Sequence, residues 1–196
     1  MFELRALRTL ETNFHGLKLR RVGGKDDGGI DLVGWWDLPT FSRRLRVLAQ
    51  CKAEKKKSSP KYVREMEGVS MVYNAGVRSP LNDTSVDEEE ESSPKGSVVA
   101  LLLSESPFTK STILRALKSP IPLMLLHVPP VLAVDGNEPV VASVSEPTFE
   151  RADLVLGGVV WNPAMQAIFP GCELRTELGG GGTTEGFGIW HGPTRL

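Results

Sequence analysis

Gly23-Gly24-Lys25-Asp26-Asp27-Gly28-Gly29-Ile30-Asp31-Leu32, followed by Val47-Leu48-Ala49-Gln50-Cys51-Lys52, is the pair of segments on which the reading of this chain turns. The glycine-rich run is a turn-rich loop, too short for anything but a hairpin connection. Before it, Leu17, Leu19 and Val22 alternate with Lys18, Arg20 and Arg21, which predicts a short strand. After it, the apolar run from Ile30 to Trp36 predicts a second strand. Pro39 to Ser42 turns the chain, and Arg43 to Lys52 reads as a third strand, with Leu45, Val47, Ala49 and Cys51 or the alternate set pointing inward. Side chains in a strand repeat with period two, so Gln50 and Lys52 share a face. If the second and third strands pair as a hairpin, Asp31 meets both at one end of the sheet.

Outward from this hairpin the pattern continues regularly. Phe2 to Glu11 places Phe2, Leu4, Ala6, Leu7 and Leu10 at helical spacing, with Asn13 and Gly16 as the stop. Pro60 suits a first helical turn and opens a helix that carries Tyr62, Val63, Met66, Val69 and Val72 toward a core. Val98 to Leu103 and Ile121 to Val128 read as buried strands, and Thr109 to Lys118 as a helix capped by Thr109 or Ser111. Three adjacent strands followed by alternating helix and strand predict an α/β fold with a central mixed sheet flanked by helices. The core spans 1–130, with 79–96 expected to be a flexible, acidic insertion. Residues 131–196 form an extension in which Asn162-Pro163-Ala164-Met165-Gln166 begins a short helix. The extension is expected to pack on the core, and Gly179 to Gly182 with the residues beyond read as a flexible tail.

Composition narrows the function classes. Apolar and charged fractions of 40% and 24% are ordinary for a soluble domain. No stretch approaches the roughly 20 apolar residues that cross a membrane, so no membrane partner is expected. The net charge of −1 is neutral on balance, but basic residues crowd the first third and acidic ones gather at Asp87 to Glu91. A near-neutral domain can still present a basic face. Cys51 and Cys172 are neither a disulfide framework nor a zinc spacing, and Cys51 reads as a small core residue. His15, His127 and His191 have no ligand spacing. Asp26-Asp27-Gly28-Gly29 lacks the later ligands of a Ca²⁺ loop. A nucleotide-binding module is disfavoured because a strand, not a helix N-terminus, follows the glycines. Glu3 and Glu11 interrupt the basic start, which reads as the first helix of the fold and not as an import sequence.

The Asp31, Gln50 and Lys52 constellation suits phosphodiester hydrolysis. A carboxylate and neighbouring oxygens bind Mg²⁺, which contacts the scissile phosphate while keeping several waters. A lysine beside it orients or deprotonates water and offsets charge on the phosphate oxygens. Taken by spacing alone, a structural Asp in a turn and an exposed strand Lys account for the same residues.

The wider pattern adds a family. The glycine-rich turn ending Gly29-Ile30-Asp31, the Gln50-Cys51-Lys52 strand, and the helix Tyr62-Val63-Arg64-Glu65-Met66-Glu67-Gly68 resemble the Mrr-like branch of PD-(D/E)xK restriction-endonuclease-like folds. Arg21-Val22-Gly23-Gly24 through Gly34-Trp35-Trp36, and Asn162-Pro163-Ala164, are similar to the fungal mitochondrial family called required for respiratory growth protein 7. The resemblance implies a restriction-endonuclease-like core and a Mg²⁺-dependent (or Mn²⁺-dependent) nuclease acting on DNA in mitochondria. It makes Asp31 the metal-binding carboxylate, Gln50 a metal contact through its side-chain oxygen, Lys52 the catalytic lysine, and Glu3 a ligand acting through water. Asp27 falls where the pattern has a preceding Asp, and a plain turn residue reads equally well there. The family has several residues ahead of its first helix, where this chain has Met1. Lys25, Lys55, Lys56, Lys57, Lys61 and Arg64 would touch phosphates, in a sequence-independent and salt-sensitive way. A solvated charged loop is the other reading of those cations. Trp35 or Trp36 is expected to stack on bases, with at least one of them in the core. Many nucleases of this fold act as dimers, so a homodimer is the assembly the resemblance allows. A DNA-binding scaffold of the same fold without turnover is the alternative function, because Gln50 stands where an acidic residue is common.

Overall fold

The computed structural model describes residues 1–22, 29–38, 43–75, 98–131, 149–150, 153–178 and 184–196. The elements run α1 (Phe2–Asn13), β1 (Leu17–Arg21), β2 (Leu32–Leu38), β3 (Arg43–Lys52), α2 (Pro60–Asn74), β4 (Val98–Ser104), α3 (Lys110–Leu117), β5 (Leu123–His127), β6 (Gly158–Trp161), α4 (Pro163–Ile168), β7 (Cys172–Leu178), β8 (Thr184–His191) and β9 (Thr194–Arg195). Strands β1 to β6 form one sheet in sequence order, and β7 to β9 form a second. Within the large sheet β1, β2 and β3 are antiparallel, β3, β4 and β5 are parallel, and β6 returns antiparallel. The mixed central sheet flanked by helices is thus the α/β architecture expected above.

The centre of the sheet is covered on both sides, which is what an unbroken apolar strand requires. All seven residues of β4 are buried. Val99, Leu101 and Leu103 pack with Leu45, Val47 and Ala49 of β3 and with Ala6, Leu7 and Leu10 of α1. Val98, Ala100 and Leu102 pack on the other side with Leu48 and with Tyr62, Val63 and Met66 of α2. Both alternating sets of β3 therefore point inward, and the choice between them dissolves. Among the described residues no helix is long and apolar enough to cross a membrane.

The C-terminal part differs from expectation. Residues 184–196 are not a tail: β8 pairs with β7 from Cys172↔His191 to Leu178↔Thr184, and β9 pairs with β8. Ile189 is buried in the main core beside Cys172 and Phe169. Gly186 and Gly188 flank Phe187 in β8, so a strand that packs through a few apolar residues carries a weak alternating signal. Strand β6 also joins the main sheet, Met124 facing Trp161. The short helix expected near Asn162 is α4, with Pro163 in its first turn. Buried Asn162 holds the junction. Its Oδ1 accepts from the N–H groups of Leu123 (3.1 Å) and Met165 (2.8 Å). Its Nδ2 donates to the carbonyls of Ser119 (3.0 Å) and Ile121 (2.8 Å). The insertion expected at 79–96 and the run Gly179 to Gly182 lie outside the described residues.

Candidate active site at the carboxyl end of strand β3

Strand β2 begins one residue after Asp31, where the regular ladder with β3 stops. Asp31 still donates its N–H to the Ala49 carbonyl at 2.9 Å and accepts from the Val22 N–H at 2.9 Å. Its carboxylate then takes over from the backbone, and Oδ2 accepts the Cys51 N–H at 2.6 Å. A buried backbone donor must be paired, and an acidic side chain can do this at a strand end. The bond is charge-assisted and therefore strong. It clamps the Asp31 carboxylate onto the Gln50-Cys51-Lys52 segment, the meeting that hairpin pairing predicts.

Gln50 is 2% exposed on the α2 side of β3. Its Oε1 has no hydrogen-bond partner among the described residues. Leaving a buried acceptor unmade costs about 1–3 kcal/mol, which makes it a natural place for a ligand. On the other side the amide lies close to Gly29, whose φ is +83°. The positive φ demands glycine, and a Cβ there would lie 2.5 Å from Gln50 Nε2, so any side chain would also displace the amide. Sequence reading treats Gly29 as a turn residue only, and its role as a wall of the site depends on the register.

Lys52 is half-buried, and its Nζ lies 4.7 Å from the centroid of the Tyr62 ring. Lys61 Nζ approaches the same ring at 4.5 Å. The Tyr62 hydroxyl donates to Glu54, and burial followed by that bond pushes the phenol above its usual range. Lys61, bonded to Tyr62, is raised as well. Tyr62, read from sequence as a plain core residue of the helix, is thus the support on which Lys52 rests.

Cys51 points to the opposite side, against the α1 core. Burial pushes its thiol well above the ordinary value, the negative charges of Asp31 and Glu3 add to this, and Lys52 and Arg21 partly offset it. It stays a neutral thiol near pH 7, which removes it as a nucleophile. The same charges locate Glu3 near this end of β3. Its carboxylate is engaged by Arg21, whose Nη2 lies at 2.5 Å and Nε at 3.1 Å. Glu3 is thus brought to the neighbourhood of Cys51 and Asp31 with a cation already in place.

Lys55, Lys56, Lys57, Lys61 and Arg64 are all exposed, on the segment and first turns of α2 that follow β3. Lys25 and Asp27 lie outside the described residues. Among the described residues no three His, Cys, Asp or Glu side chains converge as a metal-binding group. The donors that fit a hard cation are the Asp31 carboxylate and the unpartnered Gln50 oxygen, a sparse set of the kind Mg²⁺ completes with water. Lys52, Ser104 and His127 end the three parallel strands in register, and open α/β sheets bind ligands outside those carboxyl ends. A cavity of about 380 Å³ lies at the other end of β2, lined by His15, Lys18, Asp37 and Arg195, and contains none of these residues.

A solved MspJI restriction endonuclease, in complex with a 27-mer oligonucleotide, superposes at a TM-score of 0.39 and 17% identity, over 63% of this chain and 24% of that one. An uncharacterised mitochondrial protein of Schizosaccharomyces pombe is 42% identical over 60 residues, 30% of this chain and 24% of that protein. The mitochondrial required for respiratory growth protein 7 of Vanderwaltozyma polyspora is 28% identical over 82 residues, 42% of this chain and 32% of that protein. The matched stretches thus span less than a third or about a third of these curated relatives. Both relatives are mitochondrial by name, in keeping with the placement expected from sequence. The family model described as required for respiratory growth protein 7 matches residues 1–45 and 39–149, well over half of the chain, and the chain belongs to that family.

Proposed function

We propose that this chain is the core of a mitochondrial nuclease that hydrolyses DNA phosphodiester bonds with Mg²⁺ or Mn²⁺. The observation that carries the reading is the clamp at the end of β3: the Asp31 carboxylate is fixed on Cys51 N–H beside a buried Gln50 oxygen without a partner. Both oxygens would hold the cation. When bound, the cation supplies an activated water and neutralises charge building on the phosphate. Lys52, steadied on the Tyr62 ring, offers its ammonium to the phosphate oxygens or to the attacking water. Lys55, Lys56, Lys57 and Arg64 stand exposed beside this end and hold the backbone of the substrate. Glu3, already paired with Arg21, acts through that pair and through water.

A DNA-binding scaffold without turnover is the second reading, favoured by one observation. Only one described carboxylate, Asp31, touches the Gln50 to Lys52 segment through a hydrogen bond, and an amide stands where a second charge would strengthen the cation's hold. Cleavage of labelled single-stranded, duplex, flapped and four-way DNA with Mg²⁺ or Mn²⁺ separates the two. The nuclease reading expects cleavage by the wild type, lowered about 10²-fold or more in Asp31→Ala and Lys52→Ala with binding retained. Binding by all three proteins with no cleavage by any leaves the scaffold.

A further inference from the structure

We propose that the α2-side face of β1, β2 and β3, at the end away from Asp31, is a phosphate-backbone platform that holds a distal part of the same nucleic-acid strand. The occupant rests on the nuclease reading above; the surface itself rests on geometry. Lys18, Trp35 and Arg46 form one cross-strand row over three strands. Arg20 lies two positions along β1 from Lys18, toward Asp31, and Arg44 two positions along β3 from Arg46. By the period of two, all five side chains rise on one face.

The contacts bear this out. The Arg44 guanidinium centre lies 4.7 Å from the Trp35 ring centroid and that of Arg46 lies 4.9 Å from it. Arg46 also reaches the ring of Tyr73, in the last turn of α2, at 5.9 Å. Trp35 is half-buried, while Lys18, Arg20 and Arg44 are exposed. Arg44 Nε meets Asp37 Oδ1 at 3.2 Å, and Asp37 is the one acid in the three strands.

An edge strand carries lysine or arginine as protection against unwanted pairing, which accounts for Lys18 and Arg20 on β1. It does not account for Arg44 and Arg46, because β3 lies between β2 and β4. A guanidinium stacked on an indole has already lost much of its side-chain freedom, so its charge is presented at little further entropic cost. Arg46 is itself buried at 7% exposure, so Trp35 acts as a positioning residue that holds the exposed Arg44 in a fixed orientation over it, with Lys18 and Arg20 continuing the charge toward Asp31. From Arg46 to Lys52 the strand rises roughly 20 Å. At about 3.4 Å per nucleotide step, a strand must be longer than about six nucleotides to touch both ends.

The test is anisotropy of labelled DNA, one oligonucleotide of about four nucleotides and one of about twenty, with cleavage followed on the same samples. The wild type should bind the longer DNA more tightly. The Lys18→Ala/Arg44→Ala double variant should lose about tenfold of that affinity at low salt and lower the slope of log K against log salt by one to two. Arg44→Lys, which keeps the charge and loses the stacked fork, should recover part of the affinity, and the short DNA should be indifferent to all of them. Unchanged binding of the long DNA in the double variant overturns the platform, and if cleavage persists the nuclease reading survives without it. Residue-dependent binding of long DNA with no cleavage by the wild type supports the platform and sinks the nuclease. A wild type that binds phosphatidylserine vesicles through these residues and does not bind long DNA also overturns it.

Discussion

Trp35 and Trp36 are neighbours on β2 and live on opposite sides of the sheet. Trp36 is 2% exposed, packed between Phe14 at 5.6 Å and Phe169 at 5.3 Å, with its indole N–H on the His15 carbonyl at 3.0 Å. Trp35 is half-buried and flanked by two guanidiniums. The difference extends to the faces they belong to. The α1 side is apolar along its length and closed by α1, α4 and the β7–β9 sheet. The α2 side is apolar under α2 and α3 but polar at both ends, with Arg44 and Arg46 at one and Gln50 and Lys52 at the other. The larger buried apolar cluster lies on the first face and the candidate site on the second.

The contrast should show most strongly in truncation. Trp36→Ala should cost about 3–5 kcal/mol in denaturant unfolding, as large aromatic core deletions do. Trp35→Ala should cost under about 1 kcal/mol, since surface positions seldom exceed a few tenths and only partial burial is lost. Equal losses would erase the division of labour between the faces. Gly29→Ala should come next. A side chain at φ +83° is strained by about 1–3 kcal/mol and would push the Gln50 amide, so both stability and cleavage should fall.

Gln50→Leu probes the polar end with the opposite sign. Removing a buried oxygen that has no partner among the described residues should leave stability unchanged or raise it by about 1 kcal/mol, while cleavage drops. A destabilised Gln50→Leu protein would mean that the amide is structural. The smallest effect concerns the thiols. Burial raises Cys51 well above 9.0 and raises Cys172 as well. Between the unfolded and folded values the native state keeps a proton that the unfolded chain releases, so stability should be full below pH 9 and decline as pH rises past it. Cys51→Ala should flatten that decline, and alkylation of the native protein at pH 8 should be slow compared with the unfolded chain.

Much of this was legible in residues 1–130 because their patterns are strong. Period-two alternation in β1, continuous apolar runs in β4 and β5, and Pro60 and Thr109 at helix starts each have a local cause. The meeting of Asp31 with the strand end that carries Gln50 and Lys52 followed from the hairpin alone. What local patterns could not convey depends on the register: the Asp31 side chain replacing the backbone at Cys51 N–H, Gly29 walling the Gln50 amide, Tyr62 supporting Lys52, and Arg44 and Arg46 meeting Trp35. The β7–β9 sheet escaped because Gly186, Gly188 and Gly192 interrupt its apolar signal and its packing is long-range, through Ile189 and Phe187 onto the α1 face.

We propose one cation site formed by the Asp31 carboxylate and the Gln50 oxygen, and Mn²⁺ binding followed by electron paramagnetic resonance tests it without requiring cleavage. Such a site should give binding by the wild type, loss in Asp31→Ala, weakening in Gln50→Leu, and retention in Glu3→Gln. Binding that survives Asp31→Ala unchanged would contradict it.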